Sequence, residues 1–173
     1  MLYVDNPLRG ELQFVFMKQL IQVKINGRTY QEEVEPRMLL SFFLREQVGL
    51  TGTHVGCVVG ECGACSVLLE GRLVKSCLVL AVRTDQKEIT TVEGLAKEGT
   101  LHPILEAFVE HYALQCGFCT SGMVLAGHHL LTQNPDAGEE EIRQKLAGNL
   151  CRCTGYDKIV RSVQDAAERL SKA

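Results

Sequence analysis

The sequence predicts an α+β protein in two parts, a β-rich N-terminal half followed by a helical C-terminal half. Three observations predict it. Apolar and polar residues alternate in the first half, as in half-buried strands, and recur at helical spacing in the second. Eight cysteines fall four to each half, with none left over. The chain has 173 residues, 46% apolar and 23% charged, which suits one ordinary domain or two small ones and excludes a disordered or fibrous protein.

Residues 1–16 contain Asp5, Arg9 and Glu11 and no uninterrupted apolar stretch, so they make a poor secretory signal. Met17 opens a cleaner segment, and 1–16 is expected to be an extension, with an ordered N-terminal arm as the alternative. Without a secretory signal, eight cysteines read as thiolates rather than disulfides, and the cytoplasm is the default compartment. Export together with a signal-bearing partner is the alternative.

The first domain is expected over 17–93. Leu20–Ile25 alternates, Asn26-Gly27 supplies a two-residue turn and Thr29–Val34 returns, which together predict a hairpin. Pro36 ends that strand, and Met38–Gln47 reads as a helix with a buried face through Met38, Leu39, Leu40, Phe42, Phe43 and Leu44. Cys65–Leu69, Glu70-Gly71 and Leu73–Lys75 read as a second hairpin, and Cys77–Val82 as a buried strand. Two hairpins with a helix across them predict a β-grasp sheet.

The boundary falls near Thr91–Lys97, in a polar, turn-like stretch, and the second domain is expected over 94–173. His102–His111 carries Ile104, Leu105, Phe108 and Val109 on one side. Ser121–Thr132 is small and apolar, as a central helix should be. Glu139–Ala147 starts with acids, which suit a helix N-terminus, and stops at Gly148-Asn149. Tyr156–Leu170 has Ile159, Val160, Val163, Ala166, Ala167 and Leu170 at helical spacing. Four helices predict a small bundle.

Composition also limits the partners. The net charge is −3 and basic residues are scattered, so no nucleic-acid face is expected. The longest apolar run, Cys77–Val82, falls far short of the roughly 18 residues of a membrane helix, so no direct membrane insertion is expected.

Cys57, Cys62, Cys65 and Cys77 form C-x4-C-x2-C with a distant fourth cysteine, the spacing of a plant-type [2Fe–2S] site. Three sulfurs from one loop must wrap a compact inorganic core. Gly56, Gly60 and Gly63 permit the wrapping, and exposed amide N–H groups can offset the anionic charge. By formal counting that charge is roughly −2 oxidised and −3 reduced. Structural zinc is the alternative, although zinc usually takes tighter paired spacings. Cys116, Cys119, Cys151 and Cys153 form C-x2-C and C-x-C, which zinc accepts about as readily as iron–sulfur. Cys116 and Cys119 precede a helix whose positive end would face an anionic site. No histidine neighbours these four cysteines in sequence, which argues against a Rieske-type site, and the five histidines read as ordinary core and surface residues. The chain holds no nucleophile–base arrangement or phosphate loop, so no catalytic residue is expected.

The segments GCVVGECGACSV (56–67), VKSC (74–77), QCGFCTSG (115–122) and GNLCRCTGY (148–156) are similar to the signatures of the small iron–sulfur subunit of molybdenum hydroxylases. That family includes xanthine dehydrogenases, aldehyde oxidoreductases and aerobic carbon monoxide dehydrogenases. The resemblance runs from about Lys18 to the C-terminus. It departs at Ser121, where proline is usual, and at Ser66, where threonine is usual.

The resemblance implies a plant-ferredoxin-like N-terminal domain and a four-helix C-terminal domain with one [2Fe–2S] cluster each. The cluster of Cys57, Cys62, Cys65 and Cys77 would be distal, near FAD on a medium partner subunit. The cluster of Cys116, Cys119, Cys151 and Cys153 would be proximal, near the molybdenum–pterin of a large partner subunit, with Gln115 and Cys153 beside the pterin. The assembly implied is a dimer of heterotrimers. A subunit of this kind should expose apolar residues around the cluster loops, at Val58-Val59 and Phe118. A freestanding two-cluster ferredoxin-like carrier, the alternative, should not.

Overall fold

The computed structural model describes residues 2–4, 13–15, 17–97 and 99–172. Two short strands, β1 (Leu2–Val4) and β2 (Gln13–Val15), pair antiparallel. The rest of 1–16, on which the expected extension mostly falls, lies outside the described residues.

The main sheet begins with β3 (Gln19–Ile25) and β4 (Arg28–Val34), an antiparallel hairpin in which Ile25 faces Arg28 across Asn26-Gly27. Both turn residues have positive φ, 51° and 84°, as this tight turn requires. Strand β5 (Ser66–Leu69) and β6 (Arg72–Lys75) form the second expected hairpin. Strand β7 (Glu88–Thr90) joins the hairpins, parallel to β3 and antiparallel to β5. The five-stranded order is β4-β3-β7-β5-β6.

The expected helix over 38–47 is a single α turn, α1 (Leu40–Phe42), widened at once into a π-helix over Phe43–Gln47. Its first residues are claimed by another segment. Leu40 N–H donates to the Val79 carbonyl, and Ala81 N–H donates to that of Met38. The wide turn closes through Val48 N–H to Phe43 O.

The same contacts correct the reading of Cys77–Val82, which is not a buried strand. It forms two 3-10 turns, Ser76–Leu78 and Ala81–Thr84, and between them Leu80 makes an isolated β-bridge to Leu39. Only part of the run faces inward: Cys77 and Ala81 are buried, whereas Leu78 is 63% exposed. Cys77 therefore sits on a 3-10 turn, with the Ser76 hydroxyl donating to the Cys65 carbonyl beneath it.

The β8 (Ala96–Lys97) and β9 (Thr100–Leu101) hairpin leads into four helices: α2 (Pro103–Glu110), α3 (Thr120–Gln133), α4 (Glu139–Leu146) and α5 (Asp157–Ser171). Among the described residues the fold is thus mixed α+β, with a five-stranded sheet and five α-helices. Helix α3 is buried around most of its circumference, which explains its small, apolar sequence. Val109, expected on the inner face of α2, points outward, and Ala107 takes its place beside Ile104 and Phe108.

Two cores result. One packs Ile21, Val23, Ile25, Phe43, Leu44, Val67 and Ile89 between sheet and helical turn. The other packs Leu68, Ile104, Phe108, Met123, Leu125, Ile142 and Val163. Successive residues of β5 face different cores, Val67 the first and Leu68 the second. This strand is buried on both faces, and its continuous apolar run reflects that.

Candidate metal centres

The first four cysteines gather where the 57–65 loop meets the 3-10 turn at Cys77. Backbone conformation does the wrapping: Gly60 and Gly63 have φ of 83° and 73°. Val58 also has positive φ, 59°, which is unexpected because a β-branched residue is costly there. Amide groups turn inward as a result. Cys62 N–H donates to Cys57 Sγ at 3.4 Å. That bond, with the N–H groups of Val59 and Glu61 and the Cys62 thiol, lowers the Cys57 thiol to about 6 against the opposition of burial. Burial, then the neighbouring Cys65 thiol, pushes Cys77 up to about 11.

The second four come from two loops. Cys116 and Cys119 precede α3, while Cys151 and Cys153 follow α4. Cys153 Sγ lies 3.5 Å from Cys116 Sγ, and both are exposed. Cys119 is buried, and that burial, then the Cys151 thiol, raises it to about 12. The Phe118 N–H, then the Cys153 thiol, lowers Cys116, and its bond to Cys116 raises Cys153. Burial works to raise Cys151, but the Thr154 hydroxyl and N–H and the Cys153 N–H outweigh it and leave it lowered. Tyr156 holds this loop from below, its hydroxyl accepting from Cys151 N–H at 2.9 Å.

Within each group one neighbouring thiol acts most strongly on a given cysteine: Cys62 on Cys57 and Cys65 on Cys77 in the first, Cys153 on Cys116 and Cys151 on Cys119 in the second. Among the described residues, no three His, Cys, Asp or Glu side chains are grouped as for a single metal ion. All-sulfur donors, with N–H groups directed at them, fit a two-iron core, in which each iron takes two cysteine thiolates. They would also stabilise its negative charge.

The two loops meet at a hydrogen-bonded seam. Leu150 N–H donates to the Cys62 carbonyl at 2.8 Å, and buried Asn149 donates through Nδ2 to Gly63 O at 2.9 Å. Ser121, at the usual proline position, donates its hydroxyl to the Ala64 carbonyl at 3.4 Å. Ser66 donates to Gly63 O at 2.7 Å. The Lys75 ammonium donates to the Gly148 carbonyl, completing the end of α4. A Cβ on Gly122 would lie 2.2 Å from Gly63 O, so only glycine allows α3 to approach so closely.

Gln115 is exposed beside Cys116, and makes no hydrogen bond among the described contacts. Val58, Val59 and Phe118 are 40%, 64% and 46% exposed, as expected of a subunit, and Leu78 and Leu150 extend the apolar rim. A cavity of about 640 Å³ lies elsewhere; Lys24, Glu88, His102 and His128 are among its lining residues, and no cysteine is.

The sequence reading gave Asn149, Lys75 and Tyr156 no separate role at the site, though all three fall within the signatures VKSC and GNLCRCTGY, and it missed His54. His54 stands three residues before Cys57, yet nothing in the sequence signals its contact with Phe118.

Known proteins are similar to this chain over most of its length. A family model described as 2Fe-2S iron-sulfur cluster binding domain matches residues 23–96, and one described as [2Fe-2S] binding domain matches 91–164. The chain is 47% identical over 153 residues to the 6-hydroxypseudooxynicotine dehydrogenase complex subunit beta of Paenarthrobacter nicotinovorans, covering 84% of this chain and 92% of that one. It is 45% identical over 152 residues to the nicotinate dehydrogenase small FeS subunit of Eubacterium barkeri, covering 88% and 97%. The crystal structure of quinoline 2-oxidoreductase from Pseudomonas putida 86 superposes with a TM-score of 0.87 at 43% identity, covering 91% of this chain and 98% of the matched one.

Proposed function

We propose a route for electrons through this chain, which belongs to the small iron–sulfur subunits of the molybdenum hydroxylases. It is an electron-transfer subunit of an oxidoreductase. When bound, each [2Fe–2S] cluster accepts and passes on one electron at a time.

In this reading residues 17–93 form the ferredoxin-like domain and 94–173 the four-helix domain. Cys57, Cys62, Cys65 and Cys77 hold the distal cluster. Cys116, Cys119, Cys151 and Cys153 hold the proximal one. Gln115 and the exposed pair Cys116 and Cys153 face a large molybdenum–pterin subunit, and the apolar rim at Val58, Val59 and Leu78 faces a medium FAD subunit. The full assembly is a dimer of heterotrimers in the cytoplasm. No helix among the described residues is long and apolar enough to cross a membrane.

The observation that carries the route is the seam. The bond from Leu150 N–H to the Cys62 carbonyl joins a residue adjacent to Cys151 directly to a cysteine of the other quartet. It gives a short covalent and hydrogen-bonded path between the two sets of thiols. The protein's own work is to hold the thiolates, direct N–H groups at them and fix their separation. The exposed apolar rim favours a subunit over a freestanding carrier.

Iron and acid-labile sulfide analysis, with electron paramagnetic resonance (EPR) of the dithionite-reduced protein, tests this reading. About four irons, about four sulfides and two distinct [2Fe–2S] signals per chain are expected. Zinc in place of iron, with no reduced signal, would overturn it.

A further inference from the structure

We propose that His54 is a positioning residue that pins the loop of Cys57–Cys65 to the loop of Cys116 and Cys119 and so sets the separation of the clusters. This rests on the two-cluster reading above. His54 lies three residues before Cys57, and its ring reaches the loop that holds Cys116 and Cys119. Nδ1 is 2.9 Å from the Phe118 carbonyl oxygen, which can only accept, so Nδ1 carries the proton and donates. The imidazole also stacks on the Phe118 ring, with centroids 5.0 Å apart and planes 15° from parallel. One side chain therefore grips the intervening loop through both its backbone and its ring.

The surroundings favour this grip. A Cβ on Gly56 would lie 3.2 Å from the Phe118 ring and 3.1 Å from Cys62 Sγ, so glycine lets Phe118 settle against the first loop. The approach to His54 is braced by Arg45, whose guanidinium donates to the Thr51 and Thr53 carbonyls at 2.6 and 3.0 Å. The bonds from Leu150 and Asn149 tie the first loop to the end of α4, but neither reaches the loop before α3. Ser121, within α3 itself, makes a long bond to the Ala64 carbonyl of the first loop. His54 supplies a direct tie between the first loop and the loop that holds Cys116 and Cys119.

The test compares His54→Leu and His54→Phe with His54→Asn in the full chain, purified with its iron and any co-purifying partner. Asparagine places an N–H donor at the same δ position as Nδ1. The measurement is the magnetic splitting between the two reduced clusters in low-temperature EPR, with iron content determined on each sample.

The expected result is full iron in all variants, with the splitting lost or diminished in His54→Leu, diminished in His54→Phe, and retained in His54→Asn. Unchanged splitting in His54→Leu and His54→Phe overturns the proposal. Loss of a cluster in both overturns it as well, because the bond would then serve assembly rather than spacing. If the unsubstituted protein lacks two [2Fe–2S] signals, the two-cluster reading fails first and independently.

Discussion

The two cysteine quartets are built in opposite ways. The first hangs three thiols on the single stretch 57–65 and closes with Cys77 on a nearby 3-10 turn. Its order comes from the backbone, through positive-φ residues and amides turned toward sulfur. The second draws one pair of thiols from before α3 and another from after α4. Tertiary packing alone brings them together. The first site should therefore tolerate a disturbance of the helices better than the second, while changes in its own loop should stay local.

Removing a thiol gives the largest effect. Cys77→Ser and Cys151→Ser should each reduce iron from about four to about two per chain, and each should abolish a different EPR signal. Loss of both signals from one substitution would show that the quartets assemble as a unit and would break the contrast.

Gly122→Ala comes next. Its Cβ meets a backbone oxygen at 2.2 Å, which cannot swing away, so α3 must withdraw from Gly63. Destabilisation of about 3 kcal/mol is expected in denaturant titration, with iron lost from the second quartet before the first. Iron lost equally from both would assign the seam to both sites alike.

A pH experiment probes the protein without touching a cysteine. His128 is lowered to about 4, chiefly by burial and then by the charges of His102 and His129, and Lys24 and Glu88 line the same cavity. Its folded value lies below the ordinary 6.5, so the unfolded chain takes up the proton first as pH falls. The stability it contributes is present above about 6.5 and is lost as pH drops toward about 4. The melting temperature of the unsubstituted protein should fall across that window more steeply than that of His128→Gln. Equal slopes would mean that His128 has no part in the acid response.

The smallest effect is a gain. Val58→Gly removes a β-branched side chain from left-handed backbone and should raise stability by about 1 kcal/mol in denaturant titration, with the second quartet's EPR signal unchanged. A loss instead would show that the valine side chain supports the loop.

The same contrast explains what could be read in advance. The first quartet was legible because its spacing is local, and so was the Asn26-Gly27 hairpin. The four C-terminal helices were legible from their periodicity. The second quartet was ambiguous because its two halves meet only after folding. Cys77–Val82 misled because an apolar run does not reveal which side chains turn inward. Met38–Leu40 binds its backbone, and Leu78 turns out against Gly60 rather than into the core. Asn149 read as the end of a helix because its partner Gly63 lies 86 residues away.

Strand β5 has a consequence for how the protein comes apart. Val67 and Leu68 belong to different cores, so neither half can open fully without uncovering a face of the strand they share. The two halves should behave as one foldon, losing structure in a single cooperative transition. The amide protons of β5 should be among the slowest in the molecule to exchange with deuterated solvent.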